Sequence, residues 1–150
     1  MRFIETEKSP PRIRLKKILK ILPAMGQYFQ NKPVDLIFIH GSLAKDNLKH
    51  LSDIDVAVLF KEEHFGLEEI SKTIKKFSAL MGREDIDLMI LNRASPLARM
   101  QVLCNGKILY CRSKSVLKKF RLETIQRYLA TQYLRTSFNK YMQTAILRKK

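Results

Sequence analysis

The sequence predicts an α+β fold: a small mixed β-sheet flanked by helices, ending in a long C-terminal helical segment. Three observations carry this. Short apolar runs rich in strand-forming residues recur at VDLIFIHG, DIDVAVLF and DIDLMIL. The stretches around them place apolar residues at helical spacing. The connections also differ. Residues 41–52 join the first two runs and suit an antiparallel pair, whereas a helical crossover joins the second and third and suits a parallel one.

Each element has its own signal. Residues 1–10 read as a loose tail closed by Pro10 and Pro11. Leu15, Ile18, Leu19, Leu22, Met25 and Phe29 recur at helical spacing, so residues 12–30 are expected to form an amphipathic helix. Pro23 is expected to kink or split it. Pro33 opens the first strand, and the polar residues 42–50 suit a helical turn. Residues 53–60 form the second strand. Leu67, Ile70, Ile74, Phe77 and Met81 line one face of the next helix. Glu68 and Glu69 suit its first turn, and Gly82 is placed to stop it. Residues 85–91 are the third strand. Ser95 as N-cap, Pro96 at the first position and Gly106 past the end mark another helix. Residues 107–111 suit a brief strand. Residues 115–148 hold no Gly or Pro and read as one long helix or two shorter ones. Tyr110, Tyr128, Tyr133 and Tyr141 read as packing residues, and His40, His50 and His64 as core or surface residues. The whole reads as one domain over 1–150, with its core at about 33–112 and a basic helical segment at each end.

Charge is distributed unevenly. The 150 residues carry a net charge of +15. Residues 1–32 contribute +6 and residues 113–150 contribute +9, while residues 33–112 are neutral. Basic ends around a neutral centre suit docking of something anionic: a nucleotide, an RNA or an acidic protein. Cys104 and Cys111 form no CxxC pair and no zinc set, and are expected to be reduced core or boundary thiols. The N-terminus lacks the apolar core of a signal peptide. No run approaches the roughly 18 apolar residues that span a bilayer. A cytoplasmic protein without a membrane partner is expected.

The predicted pairing brings three polar clusters to one sheet edge: Gly41-Ser42, Asp53/Asp55 and Asp85/Asp87. Residues i and i+2 of a strand share a face, so Asp53 and Asp55 project together. Adjacent carboxylates repel unless a cation lies between them. Asp87 has the same setting on the next strand. Asp85 is its rival, but Asp87 lies nearer the apolar run. Three carboxylates make a hard oxygen site suited to Mg²⁺ or Mn²⁺. Gly41 lets the backbone approach a bulky anion, helical N–H groups after it face that anion, Ser42 adds a donor and Lys45 a positive charge. A phosphate cradle facing a metal cluster is the layout of nucleotidyl transfer. Were the acids only caps on a surface strand, the Gly-Ser spacing and Asp87 would be left unexplained.

Gly41-Ser42, ten residues, then Asp53-Ile54-Asp55, with Asp87 on the next strand, resembles the signature of the polymerase-beta-like nucleotidyltransferase superfamily. The chain is most similar to the minimal nucleotidyltransferases (MNT proteins), the antitoxin half of HEPN–MNT toxin–antitoxin pairs. The resemblance covers about residues 33–112 and, more weakly, the C-terminal helix. It implies the nucleotidyltransferase fold and ATP as nucleotide donor. It implies that Asp53 and Asp55 bind the metals holding the triphosphate, and that Asp87 completes the metal activating the attacking hydroxyl. Gly41 and Ser42 would hold the β- and γ-phosphates. AMP would pass to a tyrosine of a partner HEPN toxin and silence it. The loop departs from the family pattern: Leu43 replaces a basic residue, Asp46 a glycine, and His40 an aromatic.

Three function classes follow. One is AMP transfer to a protein hydroxyl. Another is a small-molecule nucleotidyltransferase of the aminoglycoside-modifying kind, for whose acceptor pocket 150 residues leave little room. The third is a non-catalytic antitoxin that binds toxin or RNA through its basic ends. A homo- or hetero-oligomer is compatible with each.

Overall fold

The computed structural model describes residues 15–44, 53–61 and 65–148. The elements follow in the order α1 (Leu15–Phe29), β1 (Val34–Ile39), α2 (Gly41–Ala44), β2 (Ile54–Phe60), α3 (Leu67–Met81), β3 (Ile86–Ile90), α4 (Pro96–Asn105), β4 (Lys107–Cys111), α5 (Lys114–Ala130) and α6 (Gln132–Leu147). The four strands form one mixed sheet in the order β3-β2-β1-β4. β1 runs antiparallel to both β2 and β4, and β2 runs parallel to β3. The pairing senses expected from connection lengths are those observed.

Strand alternation sorts the core into two layers. Ile37 and Ile39 of β1 and Ile54, Val56 and Val58 of β2 pack on one face with Ile18, Met25 and Phe29 of α1 and Phe77 and Met81 of α3. Leu36, Phe38 and Ala57 pack on the other face with Val102 of α4 and Phe120 of α5. The Phe29 and Phe77 rings stack at 5.8 Å, and Phe38 meets Phe120 at the same centroid distance on the opposite face.

The helix ends follow the expected chemistry. Ser95 accepts the Ala98 N–H at 3.1 Å, and the Gly106 N–H returns to Val102 O at 2.8 Å. Gly82 adopts φ +66°, where a side chain is strained, and its N–H closes α3 on Ser78 O at 2.9 Å.

Other expectations need correction. α1 runs as one helix through Pro23. Pro23 and Leu19, whose carbonyl loses its donor, are both on the exposed face, where water can serve instead. Ile18 before the proline and Met25 and Phe29 after it are buried and hold both halves to the sheet. Leu67 is exposed rather than in line with Phe77. The C-terminal segment, by contrast, takes the second of its two expected forms, two helices meeting at Thr131. Tyr133 and Tyr141 face solvent instead of packing. Cys104 and Cys111 are free thiols and Cys111 sits at the boundary as expected, whereas Cys104 is exposed. His50, His64 and Lys45 lie outside the described residues. Among the described residues, no helix is long and apolar enough to cross a membrane.

Arg112, just past β4, fastens three segments. Its guanidinium donates to Gln30 O (3.0 Å), to Lys32 O, to Val34 O (2.8 Å) and to the Asp35 carboxylate (3.0 Å). Its backbone N–H donates to Asp35 O at 2.9 Å. Arg112→Ala should therefore lower unfolding free energy by about 2–3 kcal/mol, because several carbonyls lose a charged donor at once. Arg112→Lys should recover less than half of this, since one ammonium cannot span the same acceptors. Urea denaturation of the three proteins checks both.

Candidate active site

The sheet register assembles the carboxylate rim. Asp55 and Asp87 are directly paired across the parallel β2–β3 ladder, so they lie side by side on one face. Asp53 immediately precedes β2. The antiparallel register of β1 with β2 ends at Ile39↔Val56, and one step further the His40 N–H donates to Asp55 O at 3.0 Å. Gly41 follows at the end of β1. The ends of three strands thus meet at one rim.

Gly41 is demanded there twice over. Its φ is +68°, in the left-handed region. A Cβ on it would lie 2.0 Å from Asp55 Oδ2. The turn therefore closes tightly over the Asp55 carboxylate. Gly41–Ala44 form the single helical turn α2. Ser42 lies in that turn, but its side chain, like Lys45, is outside the described set.

The electrostatics of the rim centre on Asp55. Burial raises its pKa, the nearby His40 opposes this, and Asp87 and Asp53 add to it. Asp87 and Asp53 are thus close enough to Asp55 to make it harder to ionise. Asp53 and Asp87 are exposed, and like charges do not gather of themselves. Among the described residues, no three His, Cys, Asp or Glu side chains are grouped as the ligands of one ion.

Asp85, the rival of Asp87, is engaged elsewhere. Arg83, a buried arginine, donates through Nε to Asp85 Oδ1 at 2.7 Å and through Nη2 to Oδ2. That fork holds the Asp85 carboxyl below its ordinary pKa. Among the described residues, Asp87 forms no ion pair with an arginine.

His40 is the rim residue that sequence reasoning set aside. It is half-buried, and its Nε2 is buried with no hydrogen-bond partner among the described residues. Burial lowers its pKa, while Asp55 and Asp87 pull it up. Alternation along VDLIFIH was the available signal: Leu36, Phe38 and His40 share a face, and that face is the one Asp55 occupies.

The donor set fits a hard divalent cation. Its members are carboxylate oxygens, and the missing Cβ at Gly41 leaves the backbone open beside them. A cavity of about 470 Å³ lies instead at the opposite rim, among Asp35, Phe60, Asn92, Arg99, Phe120 and Arg127. Its acids and bases are already interleaved, with Asp35 on Arg112 and Arg99 near Glu123.

A family model described as polymerase beta, nucleotidyltransferase, matches residues 24–115. The chain belongs to this nucleotidyltransferase family. Its fold is shared by a chain of a toxin–antitoxin solved with AMP-PNP, at 26% identity and TM-score 0.65, covering 85% of this chain and 97% of the other. A mutant of the toxin–antitoxin MntA–HpeT matches at 25% identity and TM-score 0.65, over 88% and 99% of the two chains. A complex of tri-AMPylated HEPN toxin with MNT antitoxin from Shewanella oneidensis matches at 23% and TM-score 0.63, over 87% and 99%. No curated protein matches the sequence. The nucleotidyltransferase is thus an α+β protein of the polymerase-beta type, as its Gly-Ser and DxD spacing led us to expect.

Two substitutions in the nucleotidyltransferase rim should move stability in opposite directions. Gly41→Ala should destabilise by about 1–3 kcal/mol, since it combines a strained φ with a clash against Asp55. Asp55→Asn should raise the melting temperature at pH 7 in chelator-containing buffer. The sign follows from linkage: the folded pKa of Asp55 lies above its unfolded value, so its contribution is favourable in acid and lost as pH rises through the folded pKa. The gain from Asn should therefore vanish below the ordinary carboxylate range. Thermal melts at neutral and acid pH measure both.

Proposed function

We propose that this nucleotidyltransferase moves AMP from ATP to a tyrosine hydroxyl of a HEPN-type partner protein and so acts as its antitoxin. The observation that carries the reading is the meeting of Asp53, Asp55, Asp87 and the positive-φ Gly41 at one rim of the sheet. The AMP-PNP in one structural neighbour favours an adenine nucleotide as donor. The tri-AMPylated HEPN toxin in another favours a protein acceptor.

Each residue has a task in this reading. Asp53 and Asp55 would hold Mg²⁺ or Mn²⁺ on the triphosphate, and Asp87 would complete the ligand set beside the acceptor. Such an ion, when bound, neutralises phosphoryl oxygens and lowers the pKa of the attacking hydroxyl. Gly41 opens its backbone to the β- and γ-phosphates, which Ser42 and Lys45 are placed in sequence to contact. In the transfer, the acceptor oxygen bonds to the α-phosphorus as the bond to the α,β-bridging oxygen breaks. Pyrophosphate leaves and the hydroxyl proton passes to solvent or a rim carboxylate. Asp85, held by Arg83, takes no part.

The test uses the purified chain, labelled ATP, Mg²⁺ and the HEPN protein of the neighbouring gene. Wild type should label that protein. Asp53→Asn, Asp55→Asn and Asp87→Asn should each slow labelling by about 100-fold or more, the scale of several kcal/mol of lost charge stabilisation. Asp85→Asn should label at near wild-type rate if it folds. Equal labelling by wild type and Asp53→Asn would discard the reading. Label appearing on an amino sugar instead would move the assignment to a small-molecule acceptor.

A further inference from the structure

The last two helices present apolar side chains that no described residue covers. α6 contains no buried residue. Its Leu134, Phe138, Tyr141 and Ile146 are 65, 61, 70 and 62% exposed, and helical spacing gathers the first three on one side, with Ile146 about a third of a turn away. On α5, Leu122, Ile125 and Leu129 add an exposed stripe at i, i+3 and i+7. A groove of about 680 Å³ lies beside these helices, floored by Leu97, Tyr128, Leu129 and Phe138. Seven such side chains amount to on the order of 600 Å² of apolar surface, at the upper end of what a monomer leaves uncovered and near the share one partner gives to a stable interface.

The α5–α6 junction is nonetheless fixed. Arg135 stacks on the Tyr128 ring at 3.8 Å, donates to Tyr128 O at 2.7 Å and contacts Thr131 Oγ1. The apolar face is thereby presented in a set orientation. A helix of this kind gains most of its stability from covering that face.

Charge selects the occupant. Residues 113–150 hold ten Lys and Arg against one acid, Glu123. Lys118 and Arg121 are exposed beside the Leu122–Ile125 stripe. A second copy would bring two strongly positive segments together, whereas a face edged with Asp and Glu would gain from both apolar contact and charge. We propose that the α5–α6 face docks an acidic protein through an apolar helical surface of that protein. Resting on the function proposed above, that protein is the HEPN partner carrying the acceptor hydroxyl. None of the docking residues lies on β1, β2 or β3, so holding the partner and transferring AMP are separable.

The experiment measures binding of the full chain to the HEPN protein by calorimetry. The double variant Phe138→Glu/Tyr141→Glu should bind at least about 100-fold more weakly, as for central aromatic anchors. Its thermal melt and ATP binding should match wild type, because neither side chain is buried. Lys118→Glu/Arg121→Glu should also weaken binding and flatten its salt dependence. Equal binding by wild type and the double variant overturns the docking face, even where wild type still labels the HEPN protein. A wild-type dimer in light scattering that the double variant loses assigns the face to a second copy and overturns the acidic partner. So does binding of a short mixed-sequence RNA that charge reversal abolishes, when the apolar variant keeps its HEPN affinity. Wild type that neither binds nor labels the HEPN protein brings down the functional reading and this partner assignment together.

Discussion

The carboxylate of Asp55 is the point about which the acidic rim is built. β1 supplies a backbone donor and His40 on one side, and β3 supplies Asp87 on the other. Gly41 turns over it in a conformation and at a distance that no side chain tolerates. Asp55 is positioned by its neighbours in the strand. Ile54 and Val56 are fully buried on the opposite face. A one-residue slip of β2 would send those two into the wrong layer and Asp55 into the α1–α3 core. The register that folds the sheet and the register that sets the rim are therefore one constraint. Losing the site by strand slippage would mean losing the core.

The same coupling explains how an unfavourable cluster is tolerated. Crowding acids at a half-buried rim works against folding, as the raised pKa of Asp55 records. Opposing it are two apolar layers, with paired aromatics on each face and the central strands β1 and β2 buried along most of their length. Asp85 stands outside this repulsion, because Arg83 holds both of its oxygens. Local disagreement with the usual rules of burial, on a scaffold that otherwise obeys them, marks a place where binding rather than folding sets the residue type.

The strands were legible because alternation and connection length are local facts of the chain. The meeting of Gly41, Asp53, Asp55 and Asp87 was legible for the same reason, since pairing sense alone sends those strand ends to one edge. Asp85 and Asp87 were harder to separate, because both occupy the same parity. What distinguishes them is a fork from an arginine two residues away, and sequence does not disclose that Arg83 folds inward. His40 was readable in principle from its parity with Phe38, yet a lone histidine carries no spacing signal. Pro23 failed as a helix breaker because the cost of a missing donor depends on which side of the helix faces water. Tyr133 and Tyr141 failed as packing residues for a deeper reason. Helical spacing reveals that a helix has an apolar side but not whose surface covers it.

The positive side chains beyond the end of β2 and the acidic rim at its start are electrostatically independent, and distance is the reason. β2 spans seven residues from Ile54 to Phe60, which at about 3.3 Å per residue separates its two ends by roughly 20 Å. Lys61, Lys119 and Arg127 line the cavity at the end remote from Asp53. Screening at physiological salt falls off over about 8 Å, so exposed charges there contribute little at the rim. They cannot offset the repulsion that Asp53 and Asp87 exert on Asp55, which has to be met by groups close to the rim. Conversely, the rim acids do not neutralise α5, whose only acid is Glu123, near Arg99 and Lys119. The positive surface is left to act on whatever lies directly against it. A chain whose total charge is +15 thus presents two surfaces of opposite character, and the charge on one leaves the other unchanged.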